Sequence, residues 1–281
     1  MSDNPTWRLL NTGPGDGAWN MAVDEALLEA GVAGLLVPTL RFYAWVPAAV
    51  SLGFFQPLDE GISLAEIEAR GFGLVRRPSG GRAILHKDEL TYSVTVPEPL
   101  VDHGHSVMGS YRTISRGIEA GLGLLGVGAH LAERKHEPRM KAEGLPTVCF
   151  AKAAKCDMTV AGRKIVGSAQ TRRRGIIMQH GSVPTHIEAS EHLAVMPGGG
   201  TDEASQRRLQ DAACGVADAL GRPVTYDELA AALAQGFAET FKLRLEPGDL
   251  TDWERTRAAE LREQKYATRE WNETPGRKGD A

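Results

Sequence analysis

Two features of this 281-residue chain could carry chemistry by residue type and spacing. One is the run Arg76-Arg77-Pro78-Ser79-Gly80-Gly81-Arg82-Ala83, two glycines between arginines and ahead of His86. Glycines leave their backbone N–H groups unobstructed, so such a turn can cradle an anion or a carbonyl oxygen. It also reads as a plain hairpin turn with solvated arginines. The other is Cys149, where a polar segment gives way to a strand-like run. A free cysteine is commonly a small buried apolar residue. As a nucleophile it must ionise, and a thiol with a pKa of about 8.5 is little ionised at neutral pH unless a cation or dipole stabilises the charge. Lys164 is the candidate cation. If 156–160 and 163–172 pair as a hairpin, its flexible stem brings the ammonium near the thiol or a bound carbonyl, favouring both thiolate and developing oxyanion. Its plain alternative is an exposed turn lysine.

Arg172-Arg173-Arg174, with Arg163 nearby, reads either as a solvated strand end or as a rim that steers an acidic partner. His180 reads as a base or as a hydrogen-bonded strand histidine. The whole-chain balance of 32 Lys+Arg against 36 Asp+Glu, net −4, argues against a nucleic-acid binder held by bulk charge. Cys149, Cys156 and Cys214 are odd in number and include no CxxC pair, so no disulfide framework and no metal site is expected. No apolar run approaches the ~18–20 residues of a membrane span, and MSDNPTWRLL lacks the layout of a secretory signal, so the expected setting is the cytoplasm, away from membranes.

The elements that must position these residues follow from periodicity. Met21, Glu25 and Leu28 share a helical face with Val23 and Leu27 beside it, and Gly31 follows as a stop. TLRFYAW and AVSLGFFQ read as successive strands, and ISLAEIEARG returns to helical spacing. Between Gly73 and Val96 the sequence reads as strands around the glycine turn. Tyr111, Ile114, Ile118, Leu122 and Leu125 recur at helical steps. A polar loop over 133–146 leads to Cys149, and three strand-like runs follow at 156–160, 163–172 and 175–183, the first two joined by a tight Ala161-Gly162 turn. Helices are expected over 202–220, 226–242 and 251–265, with a polar tail that frays. A strand-rich middle flanked by helices implies an α+β fold with a mixed β-sheet. The division expected is a core over 1–200, C-terminal helices over 201–265 and a tail over 266–281.

Three blocks, GAWNMAVDEALLE at 17–29, RRPSGGRAILHKDELTYSV at 76–94 and GRKIVGSAQTRRRGIIMQHGS at 162–182, resemble in order and separation the biotin/lipoate protein ligase and octanoyltransferase superfamily. Cys149-Phe150 ahead of the third block is most similar to the lipoate-ligase-like octanoyltransferases of cysteine type, and KYATREWNE at 265–273 resembles their tail. The resemblance implies a ligase-like catalytic domain with a C-terminal helical segment. It implies catalytic Cys149 and Lys164, the lysine lowering the thiol's pKa. It implies substrate binding by Arg76, Arg77, Ser79, Gly80, Gly81, Arg82, Ala83, His86, Gly167, Ser168, Ala169 and His180. Octanoyl would pass from acyl carrier protein to the cysteine, then to a lysine of a lipoyl-accepting protein such as the glycine-cleavage H protein or a 2-oxoacid dehydrogenase lipoyl domain. No cofactor is implied. The rival enzyme is an ATP- and Mg²⁺-dependent lipoate ligase, and a non-catalytic acyl- or lipoyl-domain-binding protein is the reading from another class.

Overall fold

The computed structural model describes residues 4–58, 61–101, 106–131, 157–197 and 200–277. Cys149, Cys156 and the expected loop at 133–146 lie outside them. β1 (Thr6–Gly15) leads into α1 (Gly17–Val32), whose first turn is capped by Asp16 accepting the Trp19 N–H at 2.7 Å. β2 (Thr39–Trp45) and β3 (Ala49–Leu52) follow, then α2 (Leu64–Ala69), β4 (Gly73–Arg76), β5 (Ile84–His86) and β6 (Glu89–Pro97). Next come α3 (Val107–Leu124), β7 (His130–Leu131), β8 (Met158–Val160), β9 (Arg163–Arg173) and β10 (Ile176–Pro184). The C-terminal part is α4 (Ala189–Val195), α5 (Glu203–Ala212), α6 (Val216–Leu220), α7 (Tyr226–Phe241), β11 (Arg244–Pro247), α8 (Asp252–Leu261), a π-turn (Arg262–Tyr266) and α9 (Arg269–Glu273).

Among the described residues, eight strands form one mixed sheet in the order β11-β1-β2-β6-β10-β9-β8-β7, and β4-β3-β5 form a second, smaller one. The first three strands run parallel and the rest pair antiparallel. Helices cover both faces of the large sheet, which explains why β2 is buried at nearly every position. Leu40 and Phe42 alternate toward the core shared with α3 and α7, while Tyr43 and Trp45 face the core shared with α1 and α8. α3 and α7 approach so closely that a Cβ on Gly236 would lie 2.2 Å from the Gly121 nitrogen.

The structure departs from the periodicity reading in four places. β4 and β5 do not pair across the glycine turn: both pair with β3, β4 parallel and β5 antiparallel, so the turn crosses over β3. The helix expected over 202–220 breaks at Ala213–Gly215, where the Cys214 N–H donates to the Lys164 carbonyl at 2.9 Å and Ala213 bridges to β9. β1, β11 and α4 went unread: β1 mixes polar residues into a parallel strand, and β11 spans four residues. Within the tail expected to fray, Arg269–Glu273 fold as α9, where Trp271 and Asn272 bind Arg76.

Candidate active site

Two neighbouring arginines build the glycine turn from opposite sides. Arg76, fully buried, sends its guanidinium to the carbonyls of Gly53 (2.7 Å), Gln56 (2.6 Å), Trp271 (3.2 Å) and Asn272 (3.0 Å). Its backbone N–H donates to Asn272 Oδ1 and its carbonyl accepts from Trp271 Nε1. Arg77 turns the other way and donates to the carbonyls of Gly80 (2.8 Å), Arg82 (2.7 Å) and Ser51 (3.1 Å), pulling the turn into a tight loop. That loop presses on β3's end: a Cβ on Gly53 would stand 1.9 Å from the Gly81 carbonyl oxygen, so glycine is required there.

Two histidines stand at the loop, each between a serine and a carboxylate. His180 Nδ1 donates to Asp24 Oδ2 at 2.9 Å and its Nε2 accepts from Ser79 Oγ at 2.6 Å, tying the glycine turn to β10 and α1. Asp24 also accepts from Arg41 Nη1 (2.6 Å) and Tyr43 Oη (3.0 Å). His86 Nδ1 donates to Glu89 Oε1 and its Nε2 accepts from Ser51 Oγ, both at 2.8 Å. A carboxylate can only accept, so each pair fixes the proton on Nδ1 and leaves Nε2 facing a hydroxyl. Burial holds His180 below the ordinary imidazole value despite the opposing pull of Asp24. Burial alone would raise Asp24, but Arg41 and His180 outweigh it and hold the carboxyl below its usual range.

These side chains line an open cavity of about 460 Å³, counting the solvent space at its mouth. Arg77, Gly81, Arg82, His86, Gly167, Ser168, Ala169 and His180, all singled out in the sequence, line it. Arg76, Ser79, Gly80 and Ala83 do not: Arg76 braces the turn from behind, Ser79 holds His180, the Gly80 carbonyl serves Arg77, and Ala83 packs under the small sheet. The sequence reading missed Met21, Tyr43, Trp45 and Ser51 on the wall, and Asp24 and Glu89 behind the histidines. Trp45 stacks on the His86 ring at 4.0 Å and 12° and donates from Nε1 to Thr91 Oγ1 at 2.8 Å. A signal for Asp24 was available: it shares a helical face with Met21, Leu27 and Leu28, where an acid lies among core positions.

Lys164, read as a catalytic cation or an exposed turn lysine, is 2% exposed and ion-paired with the equally buried Asp157, Nζ to Oδ2 3.0 Å. It lies on β9 three residues before Gly167 and does not line the cavity. Its presumed partner Cys149 is outside the described residues. Of the arginine run, Arg172 pairs with Glu98, Arg173 with Glu25 (3.0 Å), and Arg174 is exposed at positive φ. Two of the three charges offered as a docking rim are thus spent within the chain. Among the described residues, no group of three His, Cys, Asp or Glu side chains is placed to hold a metal ion, and no helix is long and apolar enough to cross a membrane.

The family described as Lipoyl protein ligase A/B catalytic domain matches residues 16–238. Octanoyltransferase LipM of Kyrpidia tusciae is 44% identical, covering 95% of this chain and 98% of its own length; that of Symbiobacterium thermophilum is 45% identical, covering 95% and 97%. Among solved structures, a bipartite lipoate protein ligase from Thermoplasma acidophilum, studied with its E2 lipoyl domain, superposes with a TM-score of 0.76 at 28% identity, covering 99% of this chain and 100% of that one.

Proposed function

The chain belongs to the lipoyl protein ligase A/B catalytic-domain family, and from that premise we propose that it is an octanoyltransferase of protein lipoylation. It takes octanoyl from octanoyl-acyl carrier protein onto Cys149 and hands it to a lysine of a lipoyl-accepting protein, such as the glycine-cleavage H protein or a 2-oxoacid dehydrogenase lipoyl domain. The observation that carries this reading is the likeness to octanoyltransferases over 95% of the chain. The cavity supports it, with a mostly apolar lining and the glycine turn among its walls.

The chemistry balances without an added energy source. The Cys149 thiolate attacks the thioester carbonyl, the carrier thiolate leaves and takes a proton, and one thioester has replaced another. The acceptor amine then attacks the new thioester, loses a proton and forms an amide, releasing the cysteine thiol. Each attack raises negative charge on the carbonyl oxygen, which the turn's backbone N–H groups and the Lys164 ammonium are proposed to stabilise. Lys164 precedes the cavity-lining Gly167 by three residues on β9. Asp157 gives the ammonium a fixed direction. No cofactor enters this scheme.

The test is intact-protein mass spectrometry after mixing the chain with octanoyl-acyl carrier protein in the absence of ATP. An octanoyl adduct on Cys149, discharged when a lipoyl-accepting protein is added and absent from Cys149→Ala, is the expected result. Lys164→Ala should slow both steps. The likeness to the archaeal lipoate ligase keeps ATP-dependent ligation as a second reading. Transfer that requires ATP and Mg²⁺ and survives Cys149→Ala would establish it instead.

A further inference from the structure

The C-terminal block KYATREWNE at 265–273 takes no part in the transfer chemistry, yet it is fastened to two foundations of the cavity. At one end, Lys265 Nζ and Tyr266 Oη each donate to Glu25 Oε2 at 2.6 Å, on α1 next to the Asp24 that holds His180. At the other, Arg76 donates to the Trp271 and Asn272 carbonyls and to Asn272 Oδ1, and the Gly276 N–H donates to the Phe54 carbonyl at 2.8 Å. Asn272 Nδ2 closes the segment on itself by donating to the Tyr266 carbonyl at 2.8 Å. A helix of five residues has little stability of its own, so α9 keeps its shape through these anchorages.

What Arg76 passes on is the position of the glycine turn. Its guanidinium holds the carbonyls of Gly53 and Gln56, and that bend seats the turn. The Phe54 N–H donates to the Ser79 carbonyl at 2.9 Å, the Arg77 N–H donates to the Leu52 carbonyl at 3.0 Å, and the Gly81 carbonyl rests on Gly53, where no Cβ fits. α1 and the turn are therefore joined twice, once through Asp24, His180 and Ser79 and once through 265–276. Neither Trp271 nor Asn272 lines the cavity.

Resting on the reading of this turn as part of the acyl site, we propose that Asn272 is a positioning residue for octanoyl transfer: acting through Arg76 and the 53–56 bend, it fixes from outside the cavity where the turn's backbone N–H groups stand. Misplaced donors stabilise the developing oxyanion less, which slows the chemical step, while the hold of the remaining wall on the bound acyl group changes little. Asn272→Ala removes the acceptor of the Arg76 N–H and the donor to Tyr266 together, so the anchorage at the turn and the closure of the segment are both lost.

The experiment takes two readouts on the full chain. Hydrogen exchange read by mass spectrometry, without substrate, compares peptides over 52–56 and 77–83 with those of β6, β10 and α3. In Asn272→Ala the first pair should exchange about tenfold faster than in wild type and the others at the wild-type rate. Single-turnover acylation by octanoyl-acyl carrier protein should show a maximum rate about tenfold lower, with the half-saturating donor concentration within about twofold of wild type. If circular dichroism shows the alanine variant unfolded, Trp271→Phe replaces it, removing only the Nε1 donation to the Arg76 carbonyl, with smaller changes in the same directions. Faster exchange throughout the sheet, wild-type exchange at the turn, or a loss carried by the half-saturating concentration alone overturns the assignment. A wild-type chain that takes up no octanoyl removes the acyltransferase reading instead, and the exchange comparison still decides whether Asn272 holds the turn.

Discussion

The two histidine chains beside the cavity share a pattern and differ in their foundations. Behind His180, Asp24 faces Arg41 at 2.6 Å with both side chains wholly buried, so a full ion pair underlies the imidazole. Behind His86, Glu89 accepts from the hydroxyls of Thr91 and Ser182, and Arg77 reaches that chain through Ser51. One carboxylate is held by a cation and the other by hydroxyls. The first chain joins α1, β2, β10 and the glycine turn, so its task is to hold the frame. The second lies on β3, β5 and the start of β6, and both imidazoles line the cavity, so the chains differ in what stands behind the ring.

The contrast predicts unequal costs for equivalent losses. Asp24→Asn leaves the Arg41 guanidinium buried without its countercharge, and breaking a buried pair in this way costs about 3–5 kcal/mol. Glu89→Gln removes a charge whose described partners are hydroxyls and an imidazole, and should cost less, about 1–3 kcal/mol. Urea denaturation of the two variants beside wild type measures both. Equal midpoints would erase the distinction between frame and wall.

A change of pH sharpens the same contrast. The folded value of His180 is lowered by burial, so on acidification the unfolded chain, at about 6.5, takes up its proton first. Stability therefore falls as pH drops through that value and levels off only below the folded one. The His180→Asn variant should lose about 1–2 kcal/mol near neutrality through its hydrogen bonds, and its stability should fall less steeply than wild type below pH ~6.5. His192, also lowered by burial but remote from the cavity, contributes a slope of the same sign in both proteins and cancels in the comparison. Parallel slopes for the two proteins would mean that His180 does not carry the difference.

How much of this was legible in the sequence depended on where each residue's partners lie. The glycine turn and His86 were readable because their chemistry is local, a run of unusual residues in one place, whereas Gly167–Ala169 entered only through the resemblance of the third block. Arg76 and Arg77 looked alike in the sequence, yet the partners that separate them are Trp271 and Asn272 in one case and Ser51 and Gly80 in the other, the first nearly 200 residues away. The same distance hid α9, whose polar surface reads as a tail until Arg76 is there to receive its carbonyls. β11 was hidden because four mostly exposed residues carry little period-two signal, and its place beside β1 is a tertiary fact. Lys164 was singled out by type, but its ion pair with Asp157 was not, since a carboxylate one strand away gives no local mark of facing inward.

The smallest expected difference separates the two serines. Ser79→Ala removes the hydroxyl that donates to His180 Nε2 and loosens the link between the glycine turn and β10, a loss of about 1 kcal/mol by the usual worth of one buried hydrogen bond. Ser51→Ala removes the corresponding donor to His86, but Arg77 keeps the Ser51, Gly80 and Arg82 carbonyls, so the turn stays braced. Thermal melts should therefore place the two variants within about 1 kcal/mol of each other, while octanoyl uptake should fall further in Ser79→Ala, whose turn is the one displaced. A greater loss of uptake in Ser51→Ala would mean that the wall, through the orientation of His86, governs the acyl site more than the frame does.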